Sequence, residues 1–132
     1  MNSAQKILNL ILKMWYYEEF KSSFTQEEHD FVQSIRDSNL KYFRMEHEFN
    51  GRAVLSWHSS SINDDVACYV SDDGFHFSET VAYKSSTKRM KDKEEEKIPD
   101  EKMTILQEEI EDLKKTFRVY SENPQDIEVY FK

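Results

Sequence analysis

Four histidines are the residues of this chain best suited to metal binding or acid–base catalysis: His29, His47, His58 and His76. No two of them have the i, i+4 helical spacing or the close strand spacing of a local metal motif. His29 lies in an acidic segment where exposure is expected, and His47 alternates with apolar residues, where a neutral, hydrogen-bonded imidazole is structural. The sequence therefore predicts structural roles for all four histidines, with no metal and no cofactor.

Nucleophilic catalysis is also disfavoured. Cys68 alternates with Val66 and Val70, which is typical of a buried strand, and unpaired cysteines are among the most buried residues in proteins. The serines at positions 59–61 adjoin His58, but the two glycines of the chain both belong to predicted turns. Neither is available for the strained turn that exposes a serine nucleophile. We therefore predict that the protein is not an enzyme.

Two carboxylates, Glu46 and Glu48, lie two residues apart on a predicted strand. Strand geometry places their side chains about 7 Å apart, a separation compatible with a glycosidase pair. However, Arg44 and Arg52 flank them, which indicates salt pairing on a surface.

The charge balance favours a basic protein partner over nucleic acid. The chain has 132 residues, 18 Lys and Arg against 26 Asp and Glu, and a net charge of −8. Such a charge repels a phosphate backbone. The densest basic stretch, residues 84–97, is interrupted by acidic residues and contains no aromatic side chain, so it does not match a nucleic-acid interface.

Compartment is predicted from cysteine usage and from the N-terminus. One cysteine excludes an internal disulfide and points to a reducing environment. The apolar run at residues 7–12 is interrupted by Asn9 and ended by Lys13, so it is too short for a signal peptide or a membrane span. Glu18 and Glu19 offset the lysines near Trp15, which disfavours an interfacial membrane anchor. A cytoplasmic protein without membrane contact is expected.

Two helices are predicted before the first strand. Ser3 is a candidate cap for a helix with apolar residues at helical spacing that continues to about Phe20. Thr25 followed by Glu28 forms a capping box, which predicts a second helix ending near Asn39.

Two β-hairpins follow, at Asn50-Gly51 and Asp73-Gly74. For the first, we prefer a three-residue loop over residues 49–51, because it keeps one face apolar, with Phe49 on the same face as Met45. That loop places Met45 opposite Leu55 and Glu48 opposite Arg52.

In the second hairpin, a two-residue loop would pair Val70 with Phe77 and Val66 with Val81.

The remainder of the chain predicts a charged segment, a helix and a strand. Residues 84–99 are nearly all polar, so we expect a flexible segment. The apolar spacing from Met103 to Phe117 predicts a third helix packed on one sheet face, in preference to a dimer seam. A turn at residues 122–125 then leads to a C-terminal strand, since Ile127, Val129 and Phe131 alternate with polar residues. The fold class is α+β, in one domain over residues 1–132.

Size, charge and the absence of reactive motifs favour a small acidic protein-binding module, monomeric or weakly dimeric. We expect an inhibitor or immunity-type protein, bacterial or phage-encoded, that blocks a basic toxin or nucleic-acid-processing enzyme by covering its surface. The residues expected to bind lie on the polar sheet face and its turns: Arg44, Glu46, Glu48, Arg52, His58, Tyr69, Asp72 and Asp73.

Two alternatives remain at this point. One is a small enzyme or ligand-binding domain with His47, Trp57 or Cys68 lining a site between helix and sheet. A concave site with a histidine beside a carboxylate would support that alternative. The other is an oligomeric scaffold joined through the helix at residues 103–117.

Overall fold

The computed structural model describes residues 2–84, 88–121, 123, 125 and 127–132. The class is α+β, as predicted, with one antiparallel sheet in the strand order β1-β2-β3-β4. The elements follow one another along the chain as α1 (Ser3–Met14), α2 (Tyr17–Phe20), a 3-10 turn (Lys21–Ser23), α3 (Gln26–Arg36), β1 (Leu40–Phe49), β2 (Arg52–Ser59), β3 (Asp64–Ser71), β4 (Gly74–Tyr83), a second 3-10 turn (Met90–Asp92), α4 (Asp100–Tyr120) and α5 (Ile127–Tyr130).

The N-terminal helices follow the capping signals in part. Asn2, rather than Ser3, caps α1, because its side chain accepts a hydrogen bond from the Gln5 N–H while Ser3 is already helical. The helix ends at Met14, short of Phe20, and α2 is a separate short helix. The capping box is confirmed: the Glu28 N–H donates to Thr25 Oγ1 at 3.1 Å.

One face of the sheet carries the main core and is covered by α1, α3 and α4. We call it the helix-covered face, and its sheet residues include Leu55, Trp57, Val66, Cys68 and Phe75. Four apolar residues of α4 pack into this core: Leu106, Ile110, Leu113 and Phe117. These four residues belong to the predicted seam and are buried in the core, which supports the predicted helix packed on the sheet in preference to a dimer through the seam.

The first hairpin has a different loop from the one predicted. Met45 does pair with Leu55, but Arg52 pairs with Phe49 rather than with Glu48. Asn50 and Gly51 form a two-residue loop in which both have positive φ, 51° and 72°, as a type I′ turn requires. A register shift between Glu46 and Phe49 accommodates the shorter loop.

That shift moves Phe49 to the opposite side of the sheet, which corrects its predicted place beside Met45. There it joins Val54, Ala67, Tyr69 and Tyr83 in a smaller buried cluster, which defines the second face. The sheet is twisted enough that the Phe49 ring in β1 stacks on the Tyr83 ring in β4, with centroids 5.4 Å apart. The second face is therefore partly apolar and not the polar surface expected from the sequence.

The second hairpin also differs in register. Val70 pairs with Phe75 and Val66 with Ala82, so both predicted pairs are wrong. Asp72 and Asp73 form the loop, and Gly74 is the first residue of β4. Gly74 has φ 127°, and a Cβ there would overlap the backbone carbonyl of Tyr130. The glycine thus permits a close approach by the C-terminal segment.

The predicted C-terminal strand is wrong. Residues Ile127–Tyr130 form the short helix α5, and only Phe131 bridges β4, in parallel with Phe75. Phe131 is held by ring contacts with Phe75 and Phe117 at 5.5 and 5.4 Å. Burial of one aromatic residue therefore fixes this segment more than a strand ladder does. Of the turn predicted at residues 122–125, positions 122 and 124 lie outside the described residues.

The charged segment contacts the sheet where we expected no fixed contacts. The Glu96 N–H donates to the Ala82 carbonyl at 3.0 Å, Met90 packs against the second face, and Ile98 is buried in the main core. Residues 85–87 lie outside the described part. An apolar second face must be covered, and residues 88–98 provide the cover.

Candidate functional site

The predicted binding residues do not form one exposed surface. Asp72 and Asp73 lie at the β3–β4 turn, whereas the other predicted residues lie on β1, β2 and β3. Tyr69, expected to be an aromatic anchor for a partner, is buried. Its hydroxyl donates to Glu95 at 2.8 Å, and the Arg52 guanidinium lies 3.9 Å from its ring centroid. Burial and the adjacent Glu95 raise the pKa of Tyr69, and its contacts are those of a structural residue.

Three of the four carboxylates predicted to steer a partner are matched by cations of the same chain. Glu46 lies 2.5 Å from Arg44, and Glu48 lies 3.7 Å from Lys91. Asp73 accepts hydrogen bonds from Ser71, from Lys132 at 3.0 Å and from His76 at 2.9 Å, which hold the pKa of its carboxyl well below its usual range. These pairs leave little net charge on the predicted surface.

A histidine does lie beside a carboxylate, but on the second face and not between helix and sheet. His58 Nδ1 is 2.8 Å from Asp65 Oδ1, and Lys93 Nζ donates to Asp65 Oδ2 at 2.9 Å. Burial opposes ionisation of Asp65, but the hydrogen bonds from Lys93 and His58 outweigh it and lower the pKa of that carboxyl. No local spacing reveals this cluster, because Lys93 is 28 residues from Asp65.

The chemistry available to that cluster is limited. A cavity of about 160 Å³ adjoins it, lined also by Arg44, Ser56 and Tyr83. Sites for small molecules are typically about 300–1,000 Å³. Within the described residues, the His58 imidazole hydrogen-bonds to Asp65, and the hydroxyl-bearing residues Ser56 and Tyr83 line the same cavity without a hydrogen bond to it. The arrangement serves to attach the covering segment to the sheet.

The site proposed between helix and sheet is filled by side chains. Cys68 is fully buried, and burial raises the pKa of its thiol to about 12, so the nucleophilic thiolate is absent at neutral pH. Trp57 is also buried, and its indole N–H donates to Glu109 at 2.7 Å. His47 lies exposed on β1, apart from both. In the described part of the chain, His47 and Trp57 line different cavities.

A different concave region was missed by the sequence reasoning. It lies between the end of α3, the start of β1 and α4, and it has a volume of about 320 Å³. Four carboxylates line it, and no lysine, arginine or histidine does. We call it the acidic groove and define it by Asp37, Glu108, Glu109 and Asp112.

The carboxylates of the acidic groove are held mainly by neutral donors. Glu109 accepts the Trp57 indole N–H and, at 3.0 Å, the Ser59 hydroxyl. Asp37 accepts the Gln33 side-chain amide at 2.7 Å. Lys115 lies 3.9 Å from Asp112 with both side chains largely exposed, a geometry that contributes little. The groove therefore keeps most of its negative charge.

One sequence signal was available for this groove. Glu108 and Asp112 are like charges at i, i+4 on a helix, an arrangement that disfavours the helix. Asp37 is more than seventy residues away, so only the packing of α3 against α4 brings it to the same place.

In the described part of the chain, no group of three or more His, Cys, Asp or Glu side chains is arranged to hold a metal ion. Likewise, none of the described helices is both long enough and apolar enough to cross a membrane. Comparison with protein-family models, with curated proteins and with solved structures finds no match.

Proposed function

We propose that this protein is a binding module that docks on a basic surface of another protein, with the acidic groove at the centre of the contact. The observation that carries the proposal is the set of four groove carboxylates with no cation among the lining residues. Charge complementarity of this kind raises association rates and selects partners. The predicted sheet surface supports it less well, because its carboxylates Glu46, Glu48 and Asp73 are already paired with cations.

The groove is preorganised for such a contact. Glu109 is fixed by Trp57 and Ser59, and Trp57 belongs to the main core. Ile105 lines the same groove and is partly exposed, so it offers apolar contact beside the carboxylates. A rigid groove loses little side-chain entropy when it receives an arginine or lysine side chain, which favours binding.

The partner class that fits best is an enzyme that itself binds phosphate groups. Such an enzyme presents arginine and lysine side chains at its active surface, and carboxylates engage the same groups. Occupying that surface would inhibit the enzyme without any chemistry by the inhibitor. This supports an inhibitor or immunity-type role, with surface occlusion as the mechanism.

The test is affinity capture at two salt concentrations with a groove variant and a matched control. Glu108→Gln with Asp112→Asn removes two groove charges, and Glu19→Gln with Asp72→Asn removes two exposed charges elsewhere. We expect the wild type to retain a basic protein at low salt and to release it at high salt. The groove variant should bind that protein about tenfold more weakly or worse, and the control should bind normally.

Equal retention by the groove variant would contradict the proposal, as would failure of the wild type to retain any protein at low salt. If only the control variant lost binding, the binding site would instead include the β3–β4 turn, where Asp72 lies. Thermal melting of both variants shows whether each remains folded.

A further inference from the structure

The two edges of the sheet are treated differently. The outer edge of β4 is partnered: the Lys132 N–H donates to the Phe75 carbonyl at 2.9 Å, the Ser78 N–H to the Lys132 carbonyl at 3.2 Å, and the Glu96 N–H to the Ala82 carbonyl. Strand β1 pairs with β2 on one side, and its other edge has no strand partner in the described part of the chain. The open edge of a sheet can pair with a strand of another chain through backbone hydrogen bonds.

A group of exposed apolar side chains lies beside this open edge. Leu12, Trp15 and Tyr16 at the end of α1 are 45%, 67% and 52% exposed. They line a groove of about 450 Å³ with Phe43 and Met45 of β1. Single exposed apolar residues are ordinary, but a contiguous group of this kind is typical of a protein interface.

The charges of β1 indicate which partner fits. Lys41 and Arg44 are in its first half, and Glu46 and Glu48 are in its second half. In an antiparallel pair, the first half of one strand faces the second half of the other. The strand is therefore complementary in charge to a second copy of itself. Within one chain Arg44 already pairs with Glu46 at 2.5 Å, so in a dimer each of these side chains would share its charge with the opposite charge of the second copy.

We propose that β1 pairs with β1 of a second copy of this chain, about a two-fold axis at Met45. In this register Arg44 of each copy faces Glu46 of the other on the second face. Met45 faces Met45 on the helix-covered face, and Phe43 comes opposite His47, which lines a cavity with Arg44 and Met90. The sheet becomes continuous through both copies, and the apolar grooves with Leu12, Trp15 and Tyr16 meet across the axis.

Irregularities in β1 limit how far this pairing extends. Its register with β2 shifts between Lys41 and Arg44 and again between Glu46 and Phe49, and Tyr42 has φ 56°. The regular stretch between the shifts is short, so the backbone contributes few hydrogen bonds and the apolar side chains supply much of the affinity. The two-fold arrangement is closed, which gives a dimer and not a fibre.

The charge pairing is tested by sedimentation of two reciprocal variants, alone and mixed. Arg44→Glu places two carboxylates at each contact, and Glu46→Arg places two guanidinium groups there. Sedimentation is measured from about 1 to about 200 µM protein. We expect the wild type to dimerise in this range with a Kd of about 10 µM. Each variant alone should dimerise about tenfold more weakly, and the equimolar mixture should form a heterodimer because both contacts become complementary.

A wild type that stays monomeric throughout this concentration range overturns the proposal. So does a mixture that associates no better than its components, because the pairing then does not involve residues 44 and 46. Melting curves confirm that each variant is folded, since both lose the Arg44–Glu46 ion pair within one chain.

The apolar part of the contact is tested with Trp15→Glu, and Val119→Glu on α4 serves as a matched control because Val119 is also exposed. Trp15→Glu should weaken dimerisation about tenfold or more, and Val119→Glu should leave it unchanged. Equal effects of the two variants overturn the assignment to this edge.

Discussion

The two faces of the sheet are both buried, but different kinds of chain cover them. On the helix-covered face, α1, α3 and α4 contribute apolar side chains. Phe117 of α4, for example, has ring contacts with four other phenylalanines: Phe31, Phe75, Phe77 and Phe131. On the second face, the cover is residues 88–98, which hold to the sheet mostly through charged and polar groups.

This difference indicates how each cover is stabilised. The free energy gained by burying apolar side chains is proportional to the buried area and does not depend on exact geometry. The helices are therefore held by many interchangeable contacts. The second cover depends on a few specific bonds, chiefly Lys93 to Asp65 and Glu95 to Tyr69. Each such bond contributes only about 0.5–3 kcal/mol. We therefore expect residues 88–98 to detach from the sheet at a lower free energy than the three helices.

The largest effect is expected from truncating one buried ring on each face. Phe117→Ala should lower the free energy of unfolding by about 3–5 kcal/mol, because Phe117 is fully buried in the main core. Phe49→Ala should cost less, about 3 kcal/mol, because its cluster is smaller and the covering segment can relax. Urea unfolding measures both. A cost for Phe49→Ala above that for Phe117→Ala would refute the ranking of the two faces.

A smaller effect is expected from Tyr69→Phe, which keeps the ring and removes the hydroxyl. The hydroxyl donates to Glu95 and accepts from the Asn50 side-chain amide at 3.1 Å, so its loss should cost about 1 kcal/mol. Amide hydrogen exchange should rise over residues 90–98 while the exchange of α4 stays unchanged. Unchanged exchange in the segment would show that this bond does not hold it.

The smallest effect is expected in the pH dependence of stability. The pKa of Asp65 is lower in the folded state than the value of about 3.9 in unfolded chains. Its ionised form therefore stabilises the fold above about pH 4, and this contribution is lost as the pH falls through the folded-state pKa. The stability difference between wild type and Asp65→Asn should accordingly be constant near neutral pH and shrink below about pH 4. Denaturation at several pH values measures it, and a difference that grows in acid has the wrong sign.

Prediction from sequence succeeded where the signal was local. The Thr25 capping box, the pairing of Met45 with Leu55 and the apolar spacing of α4 each depend on residues close in the chain. It failed where a loop longer or shorter by one residue changes the register of a strand. The two-residue loop at Asn50-Gly51 shifts the register and moves Phe49 to the opposite face, since side chains alternate in a strand.

The candidate site shows the same division. Its components were visible as carboxylates, but Asp37 and Glu108 meet only because α3 packs against α4 beside the sheet. The predicted sheet residues were correctly identified as polar. Among them, Tyr69 is buried and not exposed, because Glu95 from a distant segment binds its hydroxyl, and His58 is half-buried beside Asp65 and Lys93.

By itself, the sequence determined the α+β class, the antiparallel sheet and the excess of negative charge, because composition, periodicity and turn chemistry are local properties. Within the described residues, packing decided which carboxylates lie beside a cation and which do not. It also decided which edge of the sheet lacks a strand partner in that part of the chain. The reason is physical: the net charge of a surface and the partners of a strand depend on side chains brought together by packing, and their distance along the chain does not encode that proximity.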